Sequence, residues 1–159
     1  MRHTISILVE NQFGVLARVS GLFSARGYNI DSLCVAETID PAVSRMTVVV
    51  RGDDRVLEQI MKQLNKLVDT IEVTDLTQED HVERELVMIK VAAANKVRSE
   101  IVEVATVFRA KVVDMGKDAM TVEVTGSEGK IRAFIDMMRP FGIQELVRTG
   151  KIAIARSSK

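Results

Sequence analysis

The sequence predicts an α+β protein made of two tandem ferredoxin-like βαββαβ sandwiches. Three observations predict this fold class. Apolar residues alternate in some segments, as in strands, and recur at helical spacing in others. These segments follow the order β-α-β-β-α-β, and the same order returns about eighty residues later. We therefore predict an N-terminal domain over residues 1–76, a linker over 77–84 and a C-terminal domain over 85–159.

The first half of the chain begins with a strand over 3–10, where β-branched residues alternate with other side chains. Four residues with turn chemistry follow, and a helical stripe then runs to Gly27, which ends the helix. Strands over 30–38 and 44–51 are joined by a turn at Asp40-Pro41. A second helix, with acidic residues at its start, and a strand over 70–76 complete the half.

The second half restarts after a polar segment that contains a single aliphatic residue, the predicted linker. A strand over 86–92 and a helical stripe from Val97 to Phe108 come first. Ser127 is placed to cap the next helix, and Pro140 stops it. The other predicted strands are 111–115, 120–125, 143–147 and 151–155.

Each half is small enough to be only marginally stable by itself, because small domains bury little of their surface. Pairing sheet edges with a second copy would add buried surface and cover exposed strand edges. We therefore expect a homodimer.

Composition excludes several classes of partner. The 22 basic and 22 acidic residues balance, and only 4% of residues are aromatic, which argues against nucleic-acid binding. Charges interrupt every apolar stretch before the ~20 residues that a membrane-spanning helix requires. The single cysteine, Cys34, excludes an internal disulfide, and the N-terminus lacks signal-peptide features. We expect a cytoplasmic protein that binds neither nucleic acid nor membranes.

The sequence offers no catalytic group. It has neither a phosphate-binding P-loop nor a dinucleotide-binding glycine motif. His3 and His81 lack metal-ligand spacing and are predicted to be solvated, and Cys34 is predicted to be a small buried side chain. Glu100 and Glu103 share a helix face and are predicted to be solvated surface charges. We predict no catalytic residue and no metal site.

The segment Glu10–Arg18 is the best candidate for a binding site. The first helix starts here directly after a strand, so its first N–H groups lack helical partners and attract a carboxylate. Gly14 has no Cβ and allows close approach, while the Asn11 amide can both accept and donate. A zwitterion would suit this segment. The alternative is that Asn11 and Gly14 only shape the turn.

Tyr28-Asn29 at the start of the second strand is a second candidate. In the predicted topology it lies at the opposite end of the sheet from Asn11. One molecule could hardly bring both ends to one ligand, whereas two copies packed antiparallel could. A ligand site shared across a dimer interface is one possibility, and a turn role for Asn29 is the other.

These two segments resemble a known family. They are Asn11-x-x-Gly14-Val15-Leu16-x-Arg18-Val19 and Gly21-Leu22-Phe23-Ser24-x-Arg26-Gly27-Tyr28-Asn29-Ile30-Asp31-Ser32-Leu33. The chain closely resembles the ACT domain of the small regulatory subunit of acetohydroxyacid synthase, also called acetolactate synthase. The likeness continues through 44–47, 63–68 and 81–86 and covers essentially the whole chain.

The resemblance implies a non-catalytic subunit that binds and activates the large catalytic subunit and confers feedback inhibition by valine in branched-chain amino-acid biosynthesis. Thiamine diphosphate, Mg²⁺ and FAD would belong to the catalytic subunit, and none would bind here. It also implies ACT domains paired in a homodimer with valine at the interface. The effector would contact Asn11, Gly14, Val15 and Leu16 of one copy and Asn29 and Ile30 of the other. Phe13 departs from the family, where many members have proline, and Cys34 replaces a threonine.

Other proteins with this topology fit less well. An acylphosphatase-like enzyme needs an arginine in the loop after the first strand, and residues 11–14 contain none. An RNA-recognition domain needs stacking aromatics on its central strands, and 44–51 and 120–125 have none. The remaining alternative is an ACT-domain sensor of another amino acid that controls a different enzyme.

Overall fold

The computed structural model describes residues 1–158, which form two compact α+β units. The first unit contains residues 1–82 and 151–158, and the second contains 83–150. Both units have the predicted βαββαβ order, so the predicted fold class is confirmed. The elements of the first unit are β1 (Arg2–Glu10), α1 (Val15–Ala25), β2 (Ile30–Glu37), β3 (Val43–Arg51), α2 (Asp54–Asn65) and β4 (Thr70–Asp75).

The first sheet has the strand order β2-β3-β1-β4, and its neighbouring strands are antiparallel. Ile5 lies opposite Val48 and Ile7 opposite Met46, so the alternation in β1 directs one row of side chains to the helices. The core on this face also contains Val19 and Phe23 of α1 and Ile60 and Leu64 of α2. Strands β2 and β4 form the edges of this sheet.

The opposite face of the first sheet is also covered, because Thr4, Ser6 and Thr47 are buried there. C-terminal residues of the same unit contact this region: the backbone N–H of Lys151 donates to Ser32 Oγ at 3.0 Å. The backbone N–H of Arg156 likewise donates to the carbonyl of Asp80 at 2.8 Å. Residues 151–158 thus pack with the first unit, whereas the sequence placed them in a C-terminal domain over 85–159.

The second unit repeats the arrangement. Its elements are β5 (His81–Ala92), α3 (Arg98–Val107), β6 (Lys111–Met115), β7 (Ala119–Gly126), α4 (Glu128–Met138) and β8 (Ile143–Arg148). These strands follow the order β6-β7-β5-β8. In its core, the rings of Phe108 and Phe134 meet edge to face with centroids 5.3 Å apart. The last strand of the chain, β9 (Ile152–Ala155), belongs to the first unit.

The structure corrects four details of the sequence prediction. Strand β5 begins at His81, inside the predicted linker 77–84, because a half-exposed strand need not carry a continuous apolar pattern. His3 is fully buried rather than solvated, since β1 places it opposite Val50, and its Nε2 lies 3.0 Å from the carbonyl oxygen of Gly52. His81 is only partly exposed, with Nδ1 2.8 Å from the carbonyl oxygen of Glu79. Cys34 is partly exposed on the edge strand β2 rather than buried.

Candidate functional site

The start of α1 is shaped by Gly14. This residue has φ +81° and precedes the helix without any side-chain cap. The Val15 N–H donates to the carbonyl of Gln12 at 3.4 Å, and the Arg18 N–H to that of Gly14 at 3.0 Å. Within residues 1–158, the N–H groups of Leu16 and Ala17 have no acceptor. Free amide donors at the positive end of a helix dipole favour an anionic ligand group.

The Arg18 guanidinium lies next to Gly14 at this helix start. A Cβ atom added to Gly14 would come within 2.9 Å of Arg18 Nη1, so the guanidinium occupies the space that a side chain would need. Arg18 Nε donates to Asp69 Oδ2 at 2.7 Å, and this hydrogen bond raises the pKa of Arg18. The Glu10 N–H donates to the carbonyl of Asp69 at 2.9 Å, which fixes Asp69 beside the end of β1.

The motif identified in the sequence includes Arg18, but Arg18 is not among the site residues predicted from the sequence. Its spacing of four residues from Gly14 was the available signal, because residues four apart lie on one face of a helix. Asp69 had no such signal, since it is 51 residues from Arg18 in sequence.

Asn11 joins two loops at the same end of the sheet. Its backbone N–H donates to the carbonyl of Ala42 and its Nδ2 to that of Pro41, both at 2.8 Å. Among residues 1–158, no donor reaches its Oδ1. Asn11 therefore shapes the turn, which is the role that the alternative interpretation gives it. Its Oδ1 is still available as an acceptor beside the helix start.

Val15 and Leu16 differ in what they can contribute to the site. The Val15 side chain is buried in the core of the first unit, so only its backbone borders the helix start. The Leu16 side chain is exposed and provides apolar surface there.

Asn29 and Ile30 lie far from this cluster within one chain. Ile30 is opposite Val50, and Val50 is opposite His3, so Ile30 aligns with the beginning of β1. Asn11 follows the other end of β1, about 25 Å away at the usual rise of a strand. The structure thus brings Asn11, Gly14, Val15 and Leu16 together and separates them from Asn29 and Ile30, as the predicted topology requires.

Asn29 belongs to a charged cluster around Asp31. Its Nδ2 donates to Asp31 Oδ1 at 3.3 Å, while Asp31 Oδ2 accepts from Arg51 Nε at 2.7 Å. Arg2 Nε lies 3.2 Å from the same oxygen. The hydrogen bond from Arg51, followed by the charges of both arginines, lowers the pKa of Asp31.

Residues 1–158 contain neither a metal-binding cluster nor a membrane-spanning helix. No group of three or more His, Cys, Asp or Glu side chains has the geometry to hold a metal ion. No helix in this range is long and apolar enough to cross a membrane.

Comparisons with known proteins agree with this architecture. Residues 5–72 match the family described as an acetohydroxyacid synthase small subunit-like ACT domain. Residues 84–157 match the family described as the small subunit of acetolactate synthase. The fold and the site therefore define an ACT-domain protein with a second ferredoxin-like domain.

Relatives match along the whole chain. A probable acetolactate synthase small subunit of Archaeoglobus fulgidus is 57% identical over 159 residues, covering 100% of this chain and 99% of the relative. The acetolactate synthase small subunit of Aquifex aeolicus is 50% identical, covering 98% and 81% respectively. The crystal structure of the Thermotoga maritima small subunit has 38% identity and a TM-score of 0.91, covering 100% of this chain and 99% of that one. The chain belongs to the acetolactate synthase small-subunit family.

Proposed function

We propose that this chain is the regulatory subunit of an acetolactate synthase, which binds and activates the catalytic subunit and confers feedback inhibition by valine. The observation that carries the proposal is the helix start at Gly14, with free amide donors beneath the Arg18 guanidinium, in a chain of the small-subunit family. Catalysis, thiamine diphosphate, Mg²⁺ and FAD would belong to the catalytic subunit. The complex would act in branched-chain amino-acid biosynthesis.

The chemistry of the helix start suits an α-amino acid. The effector carboxylate would accept from the N–H groups of Leu16 and Ala17 and from the Arg18 guanidinium. The effector ammonium would donate to Asn11 Oδ1. The exposed Leu16 side chain would pack against the aliphatic part of valine.

A homodimer through β2 would complete the site. Strand β2 is an edge of the first sheet and runs in the same direction as β1. If β2 pairs antiparallel with β2 of a second copy, Asn29 and Ile30 of that copy arrive near the turn at 38–42. This turn is hydrogen-bonded to Asn11. In this arrangement, residues of both copies would contact one effector.

Regulation of this kind requires little energy. Allosteric coupling between two sites is typically worth about 1–3 kcal/mol, or roughly 5- to 150-fold in affinity. A small change in the balance between two arrangements of the complex is therefore sufficient.

Calorimetric titration with valine tests the site. We expect the wild-type chain to bind valine, Asn11→Ala to bind about tenfold more weakly after losing one acceptor, and Gly14→Asp not to bind. Gly14→Asp adds a negative charge, collides with Arg18 and strains a positive-φ position. The control is Gly21→Ala, also in this region of the chain, where a Cβ meets nothing within 4 Å. Unchanged binding by both site variants would contradict the proposal.

Leucine, isoleucine and unrelated amino acids belong in the same titration series. One methylene in an apolar pocket changes affinity by only about 1–3 kcal/mol, so leucine and isoleucine are expected to bind within a few hundredfold of valine. Binding of an unrelated amino acid in preference to all three would favour the alternative sensor.

Reconstitution tests the regulatory role. The chain alone should form no acetolactate, and its addition to the catalytic subunit should raise the rate. Valine should then lower the rate of the complex and leave the isolated catalytic subunit unchanged. A catalytic subunit whose rate does not respond to this chain would exclude the proposed function.

A further inference from the structure

Three large apolar side chains of the first unit are almost completely exposed. Phe13, Ile39 and Val68 have relative solvent accessibilities of 102%, 104% and 93%. None of them packs against the core of the unit. Isolated apolar residues on a surface are ordinary, whereas a group of them at one place marks an interaction site.

These three residues lie on three loops that meet at one end of the sheet. Phe13 is in the turn between β1 and α1, Ile39 in the turn between β2 and β3, and Val68 in the loop between α2 and β4. Hydrogen bonds join the loops: Asn11 donates to Pro41 and Ala42, and Glu10 donates to Asp69. We call Phe13, Ile39 and Val68 the loop-tip patch.

We infer that the loop-tip patch is a docking surface for the catalytic subunit. The inference rests on the proposed function, which requires such a partner. The loop-tip patch is apolar and includes an aromatic ring, a composition typical of the buried centre of protein interfaces.

The charges around the patch indicate the chemistry of the partner surface. Asp40 follows Ile39, and Lys66 lies two residues before Val68; both are exposed, and within residues 1–158 neither forms an ion pair. Arg18, by contrast, is already paired with Asp69. An apolar depression on the catalytic subunit, with a basic side chain opposite Asp40 and an acidic one opposite Lys66, would complement this surface.

A second copy of this chain fits the patch less well. The proposed dimer uses β2, which is one edge of the sheet. Val68 leads into β4, the opposite edge, and Phe13 follows β1, the neighbour of β4. Pairing through β2 brings the second copy near the turn that carries Ile39, but it leaves Phe13 and Val68 uncovered and open to a different partner.

The patch is also continuous with the effector site. Phe13 precedes Gly14, and Val68 precedes Asp69, whose carboxylate holds Arg18. Within residues 1–158, the Asp69 carboxylate accepts only from Arg18 Nε, so the Nη donors of the same guanidinium are left for an effector carboxylate. One side chain thus links the effector to the loop that carries Val68.

The experiment measures acetolactate formation by the catalytic subunit at increasing concentrations of the small subunit. Phe13→Ser, Val68→Ser and the double variant remove patch side chains that support no core packing. We expect the concentration for half-maximal activation to rise several-fold for each single variant and at least tenfold for the double variant. The matched control is Val107→Ser, which removes a side chain of 79% accessibility in the second unit and should leave the value unchanged.

Each outcome separates the inference from the proposed function. If the wild type activates and the patch variants activate at the same concentration, the inference is wrong and the proposed function stands. A shift of the variants from dimer to monomer in sedimentation, or equal weakening by Val107→Ser, would also overturn it. If the wild type does not activate, the proposed function fails and this inference fails with it.

Discussion

Asp31 contacts three polar side chains, whereas a carboxylate in a simple ion pair contacts one. It accepts from Arg51 and Asn29 and also faces Arg2, so it ties the start of β2 to the ends of β1 and β3. The Asp31 side chain is 10% exposed, whereas those of Arg2 and Arg51 are 41% and 70% exposed, so solvent screens these contacts in part. Asp31 therefore fixes the backbone that carries Asn29 and Ile30.

This cluster predicts acid sensitivity. The folded chain has a lowered pKa at Asp31, so the unfolded chain takes up the proton first as pH falls. The stabilisation is present above the unfolded pKa of about 3.9 and is lost as pH falls from there through the lower folded value. We expect Asp31→Asn to reduce the loss of unfolding free energy below about pH 4 in urea titrations.

Glu58→Gln is the control for this prediction. Lys62 lowers the pKa of Glu58 as well, but both side chains of this pair are largely exposed. Exposed pairs contribute little to stability, so Glu58→Gln should leave the acid limb unchanged. An equal effect of the two variants would show that Asp31 contributes no more to acid sensitivity than a carboxylate in an exposed ion pair.

At the scale of elements, three helices begin in three different ways. Asp53 caps α2 by accepting from the Val56 N–H at 2.9 Å. Ser127 stands at the same position of α4, but its hydroxyl makes no capping hydrogen bond. Gly14 precedes α1 and has no side chain at all. The uncapped glycine keeps the first amides of α1 free for a ligand.

The capping difference has a measurable consequence. Asp53→Ala should lower the free energy of unfolding by about 1 kcal/mol, because the Val56 N–H loses its acceptor. Ser127→Ala should change it by less than about 0.5 kcal/mol, as at other exposed positions without a specific contact. Chemical denaturation of both variants measures the difference. Equal costs would contradict the role given to Asp53.

At the scale of the molecule, the chain crosses between its two units twice. It leaves the first unit after residue 82 and returns after residue 150. The returning segment carries Ala153, which is buried, and Arg156, which pairs with Asp80 at 3.1 Å. The C-terminal residues are therefore part of the structure of the N-terminal unit.

Deletion of residues 151–159 should weaken the first unit selectively. It removes the donor to Ser32 and the buried side chains of Lys151 and Ala153 from the unit that carries the candidate site. We expect faster hydrogen exchange in β1 and β2, with little change in β7. Deletion of 157–159 alone should change neither. Unchanged exchange in β1 and β2 after the longer deletion would refute this role.

Much of the fold and part of the site follow from local sequence. Alternation in β1 and the apolar stripes of the helices predicted elements within a few residues of their observed bounds, and the range of β6 agreed at both ends. The motif around Gly14 indicated the family, which the comparisons confirmed. The ligand and the roles of Asn11, Asn29 and the other site residues stay predictions.

Local sequence patterns predict the fold class, the repeat and the helix start at the candidate site. Four other features emerge only in the folded chain: the burial of His3, the early start of β5, the return of residues 151–158 to the first unit, and the pairing of Arg18 with Asp69. The physical reason is the range of the contacts. Periodicity reports which neighbours along the chain share a face, whereas these four features depend on residues far apart in sequence.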